Sequence, residues 1–134
     1  MKKLFSVLTG FFVAAVLLAV VPVSAHHSPA AFDLEQRVTI TGVVKKATFR
    51  NPHGHLDILV TGEDGKVVEW EVETSASNLL RRRGWDFKAI KRGETVTVLG
   101  HPHKEKPAIM YIRAITLPDG TMFGDPEGED NALD

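Results

Sequence analysis

Cysteine is absent from these 134 residues, and that absence closes several routes. No disulfide can stabilise the chain, no thiolate can act as nucleophile or ligand, and no lipid can be attached through a terminal cysteine. A metal ion would have to be held by imidazole, carboxylate, thioether or backbone groups. Methionine is scarce, with three residues, and a lone Met110 or Met122 is more often packing than a soft Cu(I) ligand. An excess of basic charge is also missing. Once Lys2 and Lys3 are set aside with the N-terminal segment, 14 basic residues face 17 acidic ones, a net charge of −3 with neutral His. That leaves no electrostatic reason to bind nucleic acid. No Ser/His/Asp nucleophile pattern, phosphate loop or nucleotide fingerprint occurs, and no internal repeat is visible.

What is present begins with an export signal. Lys2 and Lys3 precede an almost wholly apolar run, residues 4–21, and Pro22 breaks it. Val23-Ser24-Ala25 then has small residues at the positions a signal peptidase reads. An uncleaved anchor is the competing reading, because the run is about the ~18 residues that can span a bilayer. Pro22 and the Ser-Ala site favour cleavage, which leaves 109 residues, no membrane attachment, and a periplasmic or secreted location. Three parts follow: a signal peptide at 1–25, one domain at 26–123, and an acidic tail at 124–134 expected to be disordered.

The domain reads as mainly β. Residues 38–49 form a β-branched first strand in which Gly42 suggests a bulge or bend. Residues 56–60 form a second strand, and Glu63-Asp64-Gly65 is a hairpin signal. In the third strand Val68, Trp70 and Val72 share one face, with Glu69, Glu71 and Glu73 on the other, read as solvated. A helix follows, capped by Thr74 or Ser75, with Leu79 and Leu80 facing the core. Arg81, Arg82 and Arg83 lie in its last turn and Gly84 just beyond. Trp70 reads as core, and Trp85 as packing beside the helix end. Residues 95–99 and 108–117 give strands four and five, with a polar loop from His101 to Pro107. Residues 121–123 are placed to pair back. Three strands, a helix and two strands is the order of a five-stranded OB-like barrel, whose loops after strands 1 and 4 share one binding end.

The six histidines fall in three pairs: His26-His27 at the expected new N-terminus, His53 and His55 in the first of those loops, and His101 and His103 in the second. On a mature N-terminus, the α-amine and Nδ1 of His26 can chelate one ion. A third nitrogen would complete a T-shaped histidine brace that suits Cu(II). An amine of pKa ~7.7–8.0 yields its proton to a metal near neutral pH. His27 offers a second chelate, through the amine, its own amide nitrogen and its imidazole. Zinc is the second choice of metal. Each pair also has a plainer reading: a mobile terminus, a turn whose imidazoles bond to carbonyls, and a solvated loop.

Certain pieces recur in a fixed order. His26-His27-Ser28 and Phe32-Asp33 come first, then Thr41-Gly42-Val43-Val44 and Asn51-Pro52-His53. Asp64-Gly65 with Trp70 comes next, then Leu80-Arg81-Arg82-Arg83-Gly84-Trp85, and then a strand running from Gly93 to Gly100. The ordered set resembles a bacterial family of small exported proteins with a domain of unknown function, over most of residues 26–120. The resemblance implies export and a small β-barrel without an established activity. His26, His27 and His53 match its pattern; His55, His101 and His103 are not part of it.

Three functions compete. Exported copper binding for storage, delivery or protection leads, with His26 and His53 as principal ligands and His27, His55, His101 and His103 as auxiliaries. A periplasmic partner protein would receive or supply the metal. A metal-independent OB-type module for a small ligand or partner protein is second. A metalloenzyme is third, because no general base or substrate cleft is evident. The oligomeric state is not legible.

Overall fold

A computed structural model of the chain describes residues 29–128. The expected signal peptide, His26, His27 and the last six residues lie outside that range. Among the described residues, no helix is long and apolar enough to cross a membrane.

A short 3-10 turn at Pro29–Ala31 opens a lead-in that ends where β1 (Val38–Thr48) begins. Then come β2 (Gly54–Thr61), β3 (Val67–Thr74), the helix α1 (Ser77–Arg82), a second 3-10 turn at Phe87–Ala89, β4 (Thr95–Pro102), β5 (Ile109–Thr116) and β6 (Met122–Gly124). β1 is long enough to serve two neighbours. Its first half pairs with β4 and its second half with β2, both antiparallel. β2 pairs with β3 and β4 with β5, and a parallel pairing of β3 with β5 closes the ring. This is the five-stranded OB-like barrel, with α1 between β3 and β4. β6 adds to β5 outside the ring.

Alternation decides what fills the barrel. Leu56 and Ile58 of β2, Val72 of β3, Val96 and Val98 of β4, and Met110 and Ile115 of β5 are fully enclosed. Ile40 and Val44 join them from β1, and Leu80 and Trp85 from the helix region. Trp70 is only partly buried at the core's edge. Gly42 is not the bulge; that falls one turn later, between Val44 and Lys46. Gly42 is instead where β1 passes closest to β2, since a Cβ there would run into the Leu59 carbonyl and the Ile58 side chain.

Four expectations need correction. β2 starts two residues early, at Gly54. β4 runs on through His101 and Pro102, so the polar loop begins only at His103. α1 is capped by neither Thr74 nor Ser75. Its N-cap is Ala76, with no side-chain cap of its own. Thr74 and Ser75 are buried and bonded elsewhere, Thr74 to the Ser75 carbonyl and Ser75 to the Tyr111 hydroxyl. Finally, the tail is held as far as Gly128. Arg113 donates to the carbonyls of Asp125 and Gly128, and Arg37 to that of Pro126. Gly84 does follow the helix with positive φ, at +86°.

Candidate functional site

The β1–β2 loop is fixed at three points. Phe49 stacks face to face on Phe87, 4.1 Å between centroids and 5° from parallel, and Arg81 lies 5.4 Å above the Phe87 ring. Asn51 then reaches α1, where its Oδ1 accepts from the Ser77 hydroxyl at 3.1 Å and the Asn78 N–H at 3.2 Å. The Arg50 carbonyl accepts from the Ser77 N–H at 3.2 Å. The helix's open N–H groups are thus satisfied by a loop some 26 residues earlier in the chain. The Asn51–Pro52 peptide is cis. Gly54 closes the loop where only hydrogen fits, because a Cβ would meet the Thr48 carbonyl and the Thr74 hydroxyl.

This anchored loop borders a cleft of about 400 Å³ lined by Arg50, Asn51, Pro52, His53, Gly54, His55, Glu71 and Glu73. The carboxylates arrive by hairpin register. His55 pairs with Glu73, Asp57 with Glu71 and Leu59 with Glu69, all on the outside of the barrel. Carboxylates facing one another across strands weaken a sheet. Here only Asp57 and Glu71 face each other, and Glu69 on the same face is ion-paired to Lys45 at 2.6 Å. The remaining face is acidic, so it favours cations and disfavours polyanions.

The second histidine pair is used differently. His101 is fully buried, and its Nδ1 donates to the Gln36 carbonyl at 2.7 Å. Nδ1 of His103 accepts the N–H groups of Glu105 and Lys106, each at 3.1 Å, and so closes the β4–β5 turn. Phe32, 2% exposed, lies over both strands, edge-on to His103 at 5.4 Å and tilted on Tyr111 at 5.5 Å. Backbone bonds complete the seam: Asp33 N–H to the Pro102 carbonyl at 2.8 Å and Lys104 N–H to the Ala31 carbonyl at 3.0 Å. The Lys104 ammonium bonds to the Ala30 carbonyl at 2.8 Å. From Asp33 back to Ala30 the lead-in therefore runs toward the β4–β5 turn.

The expected meeting of the two loops at one end of the barrel does not occur: β1 and β4 are antiparallel neighbours, so the loops that follow them leave opposite ends, and the four histidines do not converge. His55, Glu73, Tyr111 and His101 occupy one row across β2, β3, β5 and β4. At ~4.8 Å per strand, His55 and His101 are roughly 14 Å apart along the sheet. Among the described residues, no three His, Asp or Glu side chains are grouped closely enough to hold a metal ion. Met110 is sealed inside the barrel and cannot be a ligand at this surface, while Met122 is exposed on β6. Glu71 and Glu73, expected as a merely solvated face, line the cleft with the histidines.

The chain belongs to a family of unknown function (DUF6152), whose pattern it matches over residues 14–109. No curated protein matches it in sequence. Among solved structures it is similar to a mitochondrial single-stranded DNA-binding protein from S. cerevisiae, Rim1. The identity is 13% and the TM-score 0.47, over 62% of this chain and 93% of that one.

Proposed function

We propose that the chain is an exported protein that binds a metal ion, copper before zinc, between the His53–His55 cleft and a mature N-terminus at His26. It would serve storage, delivery or protection in the periplasm. The observation that carries this reading is the cleft itself, which sets two imidazoles beside two carboxylates. Phe32 lies on Tyr111, whose strand neighbours are Glu73 and, beyond it, His55. β5 and β2 are thus about 10 Å apart. His26 stands four positions before Ala30 in the sequence.

The donor chemistry is consistent with this choice. The cleft offers two imidazoles and carboxylates, a nitrogen and oxygen set of the kind Cu(II) and Zn(II) accept. The described residues lack a third grouped ligand, so the amine and imidazole of His26 would complete the set. His27 would be an auxiliary or a competing chelate. Glu73, beside His55 in register, is placed to steady an imidazole or share the ion.

Calorimetric titration of protein beginning at His26 tests the proposal. His26→Ala and His53→Ala should each weaken Cu(II) binding at least tenfold, about 1.4 kcal/mol. Unchanged affinity in either variant would defeat it. The absence of three grouped ligands among the described residues favours one other reading: a metal-independent module that takes a small ligand or partner protein in the same cleft. Ligand binding indifferent to chelators and to both substitutions would establish it.

A further inference from the structure

A second cavity, of about 310 Å³, lies away from the histidines. Leu80 and Trp85 from the helix region and Ile112 of β5 form its apolar wall, and Ser75, Arg83, Arg113, Gly124 and Asp125 complete it. From this cavity we infer a binding site for a small organic acid, a carboxylate on an aromatic or short aliphatic body. The inference is independent of metal binding.

The first support is a β-bulge. β5 pairs Ala114 with Leu99 and then Ile112 with Gly100, which leaves Arg113 as the extra residue. A bulge re-aims a side chain, and this one turns an arginine into a wall otherwise built from Leu80, Trp85 and Ile112. Arg113 is only 7% exposed. Its Nη2 donates to the carbonyls of Asp125 and Gly128, so the guanidinium is held in place before any ligand arrives. Planar, permanently charged and less strongly hydrated than an ammonium, it suits a carboxylate in a partly dry site.

The second support is the arrangement around it. Arg83 adds another guanidinium at the wall. Asp125, the one carboxylate among the described lining residues, uses its Oδ1 to accept the N–H groups of Glu127 and Gly128. Two cations against one anion make the cavity locally positive on a chain of net charge −1, which concentrates anions there. The Trp85 ring is stacked on Phe123, 5.7 Å between centroids, giving a firm flat surface for an apolar body. Ligand cavities run from ~300 to 1,000 Å³, so this one admits small acids only.

Two-dimensional amide NMR with 2-naphthoate as probe, in a buffer containing a chelator, tests the site. The two tryptophans supply an internal control, because Trp85 lines the cavity and Trp70 does not. The Trp85 indole signal should shift saturably with one equivalent bound, while that of Trp70 stays put. The neutral analogue 2-naphthylmethanol should bind at least fivefold more weakly. Arg83 is exposed, so Arg83→Gln should keep the melting temperature and lose at least fivefold in 2-naphthoate affinity. No saturable Trp85 shift, equal affinity for acid and alcohol, or an Arg83→Gln variant that binds as well as the parent would each overturn the proposal.

Discussion

At the β1–β2 turn, His53 and His55 border an open cleft beside two carboxylates. At the β4–β5 turn, His101 and His103 have the same His-x-His spacing and sit in a closed seam. The difference lies in what covers each turn. The lead-in packs Phe32 over the second pair, and its Gln36 carbonyl accepts the His101 N–H. Nothing described covers the first pair. Instead, the chain beneath it is fixed by Asn51 capping α1 and by Phe49 on Phe87. Equal spacing can therefore serve folding in one place and ligand capture in another, and substitutions can separate the two roles.

The largest effect is expected at the seam. Phe32→Ala should cost about 3 kcal/mol in urea unfolding, the range for truncating a buried aromatic ring. A loss under about 1 kcal/mol would mean that the lead-in is not an integral part of the fold. His101→Ala should cost about 2 kcal/mol, because it removes buried volume and strands the Gln36 carbonyl. At the cleft the pattern should invert. His53→Ala should cost no more than about 1 kcal/mol, because His53 is only half-buried, while weakening Cu(II) binding tenfold. If His101→Ala and His53→Ala had the same profile, the contrast between the pairs would collapse.

Smaller effects refine the comparison. Asn51→Ala should cost about 1 kcal/mol, the usual value of a helix cap. It should also lower Cu(II) affinity indirectly by loosening the chain before His53; a stability loss with affinity intact would uncouple the cap from the site. The smallest effect belongs to the β2–β3 hairpin, far from both pairs. The Lys66 ammonium and backbone N–H hold the Asp64 carboxyl below its ordinary value of 3.8. A carboxyl with a depressed folded pKa stabilises above its unfolded pKa, and that contribution fades as pH falls through the lower folded value. Asp64→Asn should therefore flatten a slight loss of stability below about pH 4 and leave neutral pH nearly unchanged, as acid unfolding curves would reveal.

Much of the fold was legible because it rests on local pattern. Alternation located the strands, Glu63-Asp64-Gly65 located the hairpin, and the order of elements identified the barrel. The placement of both histidine loops at one end did not hold, because β1 and β4 run antiparallel and their following loops leave opposite ends. The hairpin also contained the site's carboxylates in readable form. Its turn sets partners that sum to 128, so Thr61 meets Val67 and His55 meets Glu73. What stayed hidden depends on distant partners. Neither the capping of α1 by Asn51 nor the burial of His101 has a local signature, because Ser77 and Gln36 are remote in the chain. Lys104, Glu105 and Lys106 made the second turn look solvated, and they are exposed. The two histidines next to them are held by Phe32, Gln36 and the turn's own N–H groups.

The most direct test of the central claim is electron paramagnetic resonance of one Cu(II) equivalent on protein beginning at His26, against the same protein with one Met added before it. A brace involving His26 predicts a single nitrogen-rich axial spectrum that the added Met abolishes or alters, with affinity lowered at least tenfold. Identical spectra and affinities for the two forms would show that the N-terminal amine is no ligand and would contradict the proposal.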